Sequence, residues 1–186
     1  ITYPSSGGAP PIVLDFATSK IAAGKIRVAF NQDKQLDPDV LIDKHGQESR
    51  DPALFYAGDR TEASILPFGE HKGSGLALVT TLLAGVLTGG GIMHDGMADV
   101  GIKNGLFSIF IDPARFGDVA EMERMRATLI AYVKSATPRP GFDEVQLAGD
   151  PERKVHAARK TSIPIDDNTW KTMLEGASMV GVSPPA

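Results

Sequence analysis

Cysteine is absent from this chain of 186 residues, which excludes disulfide bonds, thiolate nucleophiles and cysteine-ligated metals. Basic runs and interleaved basic and aromatic residues are lacking as well, and the net charge is -4, so nucleic acid is not an expected partner. Neither a His-Glu-x-x-His pair nor a carboxylate–glycine calcium loop occurs, so no metal site is expected. A chain without cysteine is compatible with the cytoplasm, which is the location we expect.

A charge-free stretch at residues 73–93 is long enough to raise the question of a membrane span. The stretch is rich in glycine, and the three glycines at 89–91 are expected to end a helix after Leu87. A helix that is hydrophobic on every side is also typical of the centre of a large soluble domain. We therefore expect a buried helix here and no membrane partner.

The composition that remains is that of a globular domain, with 42% hydrophobic and 23% charged residues. The chain begins at Ile1, and its first eleven residues are rich in Pro, Gly and Ser but lack the basic start and apolar core of a signal peptide. We expect the chain to be a piece of a longer protein, cut inside the fold.

Strands and helices are predicted in a mixed order, which favours an α/β or α+β fold. Apolar runs at residues 11–16, 106–111 and 145–147 predict strands. Residues 32–59 are polar and punctuated by Pro and Gly, which predicts a loop with short elements.

Five helices follow from capping residues and apolar spacing. Thr18 or Ser19 is predicted to cap a helix that runs to about Phe30. The charge-free stretch supplies the second helix, and apolar residues at helical spacing predict a third over 118–136. Asp150 as N-cap, with Pro151 at the first helical position, predicts the start of a fourth helix. A last helix is expected from about Asp167.

The run ILPFGEHKGSGLAL at residues 65–78 carries a cation, Lys72, through a glycine-rich turn into an apolar helix. Free N–H groups at a helix start favour anions, as does the helix dipole, so a phosphate or carboxylate is the natural ligand. The run is not a Walker A loop, because Gly73 follows Lys72. A purely structural glycine-rich turn, with His71 as a polar turn residue, is the alternative interpretation.

Asp15 ends an apolar strand, where a carboxylate needs a partner. It either caps the following helix or binds a ligand hydroxyl. His94 and Asp95 lie in a glycine-flanked loop and His156 lies among basic residues, and for both a solvated surface is the favoured interpretation.

Two stretches, PIVLDFATS (11–19) and LPFGEHKGSGL (66–76), together resemble the type-2 malate/L-lactate dehydrogenase family. The stretches LLAGVLTGG (82–90), NGLFSIFIDP (104–113) and VQLAGD (145–150) are similar to it as well, and the similarity runs in order along almost the whole chain. That family includes sulfolactate and ureidoglycolate dehydrogenases, diketogulonate reductase and Δ1-piperideine-2-carboxylate reductases.

The resemblance implies an α/β fold with a non-Rossmann NAD(P)-binding domain of the L-sulfolactate dehydrogenase-like type, three-layered with a mixed sheet, plus C-terminal helices. It implies that residues 1–137 form the NAD(P)-binding domain and that the N-terminal part of the parent protein is missing. Residues 138–186 would be the C-terminal return into the substrate and helical domains. Family members are usually homodimers, so a homodimer is expected.

The resemblance also implies the site residues. Contacts to the cofactor, NAD or NADP, are expected from Asp15, Phe16, Ala17, Thr18, His71, Lys72, Gly73, Gly149 and Asp150, with Lys72 near the pyrophosphate. The family's acid/base histidine lies in its N-terminal half, so no catalytic residue is expected in this chain.

The activity implied is that of an NAD(P)-dependent dehydrogenase that transfers a hydride between nicotinamide and C2 of a small 2-hydroxy or 2-oxo acid. The alternatives are a reductase of cyclic imino acids from the same family, or a non-catalytic fragment that binds cofactor or dimerises. The residues leave NAD and NADP open, because Arg27, Lys103 and Arg153 are all possible partners of a 2′-phosphate.

Overall fold

The chain passes between two folded units in a computed structural model that describes residues 1–5, 8–56, 62–93 and 104–183. The first unit comprises Ile1–Phe16 and Ser108–Ile163, and the second comprises Ala17–Phe107 and Pro164–Ala186. The division into a cofactor domain at 1–137 and a C-terminal return at 138–186 stays a prediction.

Short strands and helices alternate along the described residues. The strands are β1 (Thr2–Tyr3), β2 (Ile12–Val13), β3 (Leu41–Asp43), β4 (Glu48–Ser49) and β5 (Ala63–Ile65). The helices are α1 (Ala23–Asn31), α2 (Ala53–Tyr56), α3 (His71–Thr81), α4 (Val119–Lys134), α5 (Asp150–Ala158) and α6 (Asp167–Met179). A π-helical stretch, Leu82–Leu87, continues α3, and a 3-10 turn, Pro113–Arg115, precedes α4.

The core of the second unit lies between α1 and an antiparallel sheet in the order β4-β3-β5. Ile26 of α1 and Leu41 of β3 are fully buried, and Leu36, Val40 and Ala63 complete the cluster. The hairpin between β3 and β4 closes because the Asp43 carboxylate accepts the N–H groups of His45 and Gln47, each at 2.8 Å. These strands lie within the region that the sequence predicts as a loop with short elements.

The helices predicted over 118–136 and from about Asp167 are confirmed. Asp118 caps α4 by accepting the Ala120 N–H at 2.8 Å, and Asp166 caps α6 by accepting the Thr169 N–H at 2.9 Å. The helix that starts at His71 ends with its π-helical stretch at Leu87, as the glycines that follow it predict. Its expected burial is wrong, because apolar side chains such as Leu78 (62%) and Leu87 (66%) are exposed.

The first predicted cap is wrong. Helix α1 begins at Ala23 behind Ala22, which makes no side-chain cap bond. Thr18 and Ser19 do not cap it because their backbone lies beside residues 66–68, and the Ser19 hydroxyl donates to the Ile21 carbonyl at 2.8 Å.

Two predicted strands do not form, and a third is short. Residues 106–111 and 145–147 have no ladder partner among the described residues, and of 11–16 only Ile12–Val13 pairs, with Thr2–Tyr3. Helices with two small sheets are consistent with an α/β class, but the ladders of the described residues are all antiparallel. The three-layer arrangement with a mixed sheet therefore stays a prediction.

No helix in the described part of the chain is long and apolar enough to cross a lipid bilayer. Among the same residues, no group of three or more His, Asp or Glu side chains is arranged to hold a metal ion.

Candidate functional site

The second unit brings Thr18 next to the start of α3. The Phe68 N–H donates to the Thr18 carbonyl at 3.1 Å, and the Lys20 N–H donates to the Leu66 carbonyl at 2.8 Å. This short ladder continues through a bridge between Ser19 and Pro67. The two sequence-predicted segments of this unit are therefore neighbours, and we call Thr18, His71, Lys72 and Gly73 the α3 cluster.

The turn before α3 has an unusual backbone. Gly69 has a φ of 55°, and Glu70, a non-glycine residue, has a φ of 56° with a ψ of -114°. That conformation is sparsely populated by residues with a side chain and is strained. It turns the chain sharply immediately before His71 and Lys72.

Three N–H groups of the first turn of α3 are occupied by carbonyl groups of this turn. Lys72 donates to the Gly69 carbonyl at 3.1 Å, Gly73 to the Phe68 carbonyl at 2.9 Å, and Ser74 to the Glu70 carbonyl at 3.1 Å. These three N–H groups are not free for an anion, and the expectation stays a prediction for the N–H of His71. Attraction of an anion to this place rests on the Lys72 ammonium and the dipole of the helix.

Lys72 is exposed and makes no ion pair with any described residue. Its stem runs beside the preceding glycine, since a Cβ built on Gly69 would lie 3.6 Å from Lys72 Cβ and 3.7 Å from its Cδ. His71 is exposed on the same turn. An exposed, unpaired ammonium beside a backbone without side-chain bulk can receive an anionic group.

Gly73 is buried, and its lack of a side chain is a packing requirement. A Cβ there would lie 2.3 Å from the Phe68 carbonyl oxygen and 2.8 Å from the Thr18 carbonyl oxygen. Close packing alone is therefore sufficient to explain why residue 73 is a glycine.

The first unit joins the turn before α5 to strand β2. The Val13 N–H donates to the Ala148 carbonyl at 3.2 Å, and Gly149 caps α5 with a left-handed φ of 94°. The prediction that Asp150 is the N-cap is wrong, because Gly149 takes that position and Asp150 is the first helical residue. Pro151 lies in the first turn of the helix, as predicted.

The carboxylate of Asp150 does not cap α5 but accepts hydrogen bonds from three donors. Its Oδ2 accepts the Leu147 N–H at 2.8 Å and the Lys134 ammonium at 2.6 Å, and its Oδ1 accepts Nη2 of Arg153 at 2.5 Å. The hydrogen bond from Lys134, followed by that from Leu147, holds the pKa of Asp150 well below its usual range. We call Gly149, Asp150, Lys134 and Arg153 the α5 cluster.

Sequence reasoning missed Lys134 and Arg153 as members of this cluster. Arg153 lies three residues after Asp150 on one helix, a spacing at which side chains meet, and that signal was available. Lys134 comes from the end of α4, sixteen residues before Asp150, and no local pattern connects the two.

Asp15, Phe16 and Ala17 form the connection that leads from β2 towards Thr18. Asp15 and Ala17 are exposed, and Phe16 is 45% exposed. Asp15 does not cap α1, which begins at Ala23. Of its two expected roles, the bond to a ligand hydroxyl stays a prediction.

The three candidate partners of a 2′-phosphate differ in what they contact. Arg153 is committed to Asp150 and to the Pro11 carbonyl, to which its Nη1 donates at 3.1 Å. Arg27 lies over the ring of Tyr56, with its Cζ 5.7 Å from the ring centroid. Lys103 lies outside the described residues, as do His94 and Asp95.

Comparison with known proteins gives a consistent picture. The family model described as malate/L-lactate dehydrogenase matches residues 1–174. The L-lactate dehydrogenase of Cupriavidus necator is 32% identical over 183 residues, which cover 98% of this chain and 52% of that protein. Δ1-pyrroline-2-carboxylate reductase 2 of Burkholderia multivorans is 36% identical over 152 residues, which cover 76% of this chain and 43% of that protein.

A solved structure of a candidate malate/lactate dehydrogenase from E. coli superposes with a TM-score of 0.86 at 31% identity, and the match covers 98% of this chain and 51% of that one. The chain thus spans about half the length of the curated relatives it matches.

Proposed function

Since the chain belongs to the malate/L-lactate dehydrogenase family, we propose that it is the nicotinamide-binding portion of an oxidoreductase. Its fold is of the malate and sulfolactate dehydrogenase type. The complete enzyme would transfer a hydride between NAD or NADP and C2 of a small 2-hydroxy or 2-oxo acid. We further propose that it acts in the cytoplasm as a homodimer.

The residues proposed to contact the cofactor are Asp15, Phe16, Ala17, Thr18, His71, Lys72, Gly73, Gly149 and Asp150. The observation that carries this proposal is the exposed ammonium of Lys72, which has no ion-pair partner in the described chain. Such a cation at a helix start fits the charge of a pyrophosphate.

The role of this chain in the reaction is to bind and orient. When bound, the nicotinamide supplies the chemistry of hydride transfer. Lys72 would neutralise the pyrophosphate, and the turns at Gly69 and Gly149 would let the backbone approach the ligand. No residue of this chain is proposed to transfer the proton at the substrate, a role that the family resemblance assigns to a histidine outside it.

Reduction of cyclic imino acids is the second candidate activity. It is favoured by the Burkholderia relative, a Δ1-pyrroline-2-carboxylate reductase that matches 76% of this chain. Turnover of 2-oxo acids and of cyclic imines by the complete protein, measured with the same cofactor, separates the two activities. A non-catalytic fragment that binds cofactor or dimerises would turn over neither substrate class.

The test is calorimetric titration of the complete protein with NADH and with NADPH, in the wild type and in Lys72→Ala. We expect saturable binding to the wild type. Loss of a charge-assisted bond in Lys72→Ala should weaken binding by about 1.5–3 kcal/mol, roughly tenfold or more. Lys25→Ala is the matched control, because Lys25 is also exposed and lies in the same unit.

Two outcomes would count against the proposal. If the wild type binds neither cofactor, the nicotinamide function is refuted. If the wild type binds but Lys72→Ala binds as tightly, Lys72 does not contact the ligand and the α3 cluster is not the pyrophosphate site.

A further inference from the structure

A series of hydrogen bonds between charged side chains connects the end of α4, helix α5 and the segment before β2. Lys134 at the end of α4 donates to Asp150, and Asp150 accepts from Arg153 one turn along α5. Arg153 continues to the Pro11 carbonyl, next to β2. The Arg153 guanidinium therefore makes one hydrogen bond within α5, to Asp150, and one to the segment that leads into β2.

The turn at 147–149 lies inside this chain of contacts. Asp150 accepts the Leu147 N–H, and the Val13 N–H donates to the Ala148 carbonyl at 3.2 Å. A Cβ on Gly149 would lie 2.7 Å from Nη1 of Arg153 and 3.4 Å from Val13 Cβ. The turn is thus enclosed between the guanidinium and the strand, and its backbone has little freedom to move.

Each charged side chain of the cluster has an oppositely charged neighbour. Asp150, 17% exposed, faces Lys134 and Arg153, and Lys134 also lies 3.8 Å from Glu144. Glu144 is in turn paired with Lys154. The Arg153 guanidinium bonds one carboxylate and one carbonyl through two of its five N–H groups, so these two contacts fix the orientation in which it could meet a phosphate.

We propose that Lys134, Asp150 and Arg153 are positioning residues that hold the 147–149 turn against β2, and that Arg153 does not select NADP by contacting a 2′-phosphate. This inference rests on the proposed function, because the positioned backbone of Gly149 belongs to the proposed cofactor site. The three side chains act through that backbone and not on the ligand, so the proposed contact of Asp150 with the cofactor would come from its backbone.

The test compares Arg153→Lys with Arg159→Lys in the complete protein. Lysine keeps the charge but cannot bond Asp150 and the Pro11 carbonyl with one planar fork. Positioning predicts that Arg153→Lys raises the Kd for NADH and for NADPH by the same factor, about tenfold for one lost charge-assisted bond. At saturating cofactor kcat should stay within twofold of wild type. Arg159 ends the same helix and is exposed, so its variant should bind both cofactors normally.

A double-mutant cycle of Lys134 and Asp150 distinguishes the loss of positioning from a general loss of folding. Lys134→Met and Asp150→Asn should each raise the Kd for both cofactors, and the double variant should be no worse than the weaker-binding single variant, since both remove one interaction. Lys134→Arg should restore binding, because arginine can still donate to Asp150. Additive losses, or no rescue by arginine, would contradict a shared positioning role.

The remaining outcomes are equally decisive. An effect of Arg153→Lys on NADPH alone would show that Arg153 contacts the 2′-phosphate and would overturn the inference. Unchanged binding of both cofactors by Arg153→Lys, while the wild type binds, would overturn it as well and leave the proposed function intact. A wild type that binds neither cofactor refutes the proposed function, and the inference with it.

Discussion

Gly73 shows how one missing side chain decides where a helix can lie. The first turn of α3 approaches the backbone at Phe68 and Thr18 so closely that a methyl group at position 73 would meet two carbonyl oxygens, the nearer at 2.3 Å. Gly75, two residues on, has nothing within 4 Å of the corresponding position. The same residue type therefore has opposite consequences at the two sites.

This contrast gives a prediction at the residue scale. Gly73→Ala should lower the free energy of unfolding by about 1–3 kcal/mol, the usual cost of overpacking. Gly75→Ala should raise it by about 0.5–1 kcal/mol, because alanine loses less conformational freedom in a helix. Urea unfolding of the two variants and the wild type measures both values. Equal effects at the two positions would contradict the close approach at Gly73.

At the scale of the element, helices were largely predictable from the sequence, and strands were not. The carboxylates that cap α4 and α6 stand one residue before the helices they start, so a local pattern identifies both. Residues 106–111 have the composition of a strand, but pairing needs a partner that no local pattern can supply. Thr18 and Ser19 failed as caps for a similar reason, since bonds to residues 66–68 engage their backbone.

The N-cap of α4 is expected to contribute measurably to the stability of the protein. Asp118→Ala removes the acceptor of the Ala120 N–H and should cost about 0.5–2 kcal/mol of stability. Asp118→Asn keeps an acceptor oxygen and should cost much less. Urea midpoints followed by circular dichroism compare them. An equal loss in both variants would assign the effect to the negative charge at the helix start and not to the hydrogen bond.

At the scale of the whole molecule, the site was predictable only in part. The glycine-rich turn and Lys72 are contiguous in sequence, and their pattern alone indicated an anion-binding place. The α5 cluster joins Lys134 to Asp150, sixteen residues apart, and its Arg153 bonds the distant Pro11 carbonyl. The donors that engage Asp150 come from folding, which is why the sequence predicted a helix cap instead.

The lowered pKa of Asp150 makes stability depend on pH. A carboxylate whose pKa is depressed by folding stabilises the protein above its unfolded value, about 3.9, and loses that contribution as pH falls towards its folded value. Asp150→Asn should therefore be less stable than the wild type by roughly 1–2 kcal/mol at pH 7, allowing for partial exposure. That difference should shrink below about pH 4.

Urea unfolding of wild type and Asp150→Asn at pH 7, 5 and 3.5 measures the difference. The same comparison in a Lys134→Met background is the control, because Lys134 is the largest cause of the shift. A difference that is constant over the whole range would show that Asp150 titrates normally in the folded protein.

Residues 106–111, LFSIFI, have a consequence for the route by which the protein reaches its native state. Leu106, Ile109, Phe110 and Ile111 are between 68% and 95% exposed, and the segment makes no backbone hydrogen bond to another described residue. An uncharged run of this composition readily pairs with an identical run from a neighbouring molecule. Folding thus competes with a reaction between two molecules, so the fraction of protein recovered after dilution from denaturant should fall as the protein concentration rises.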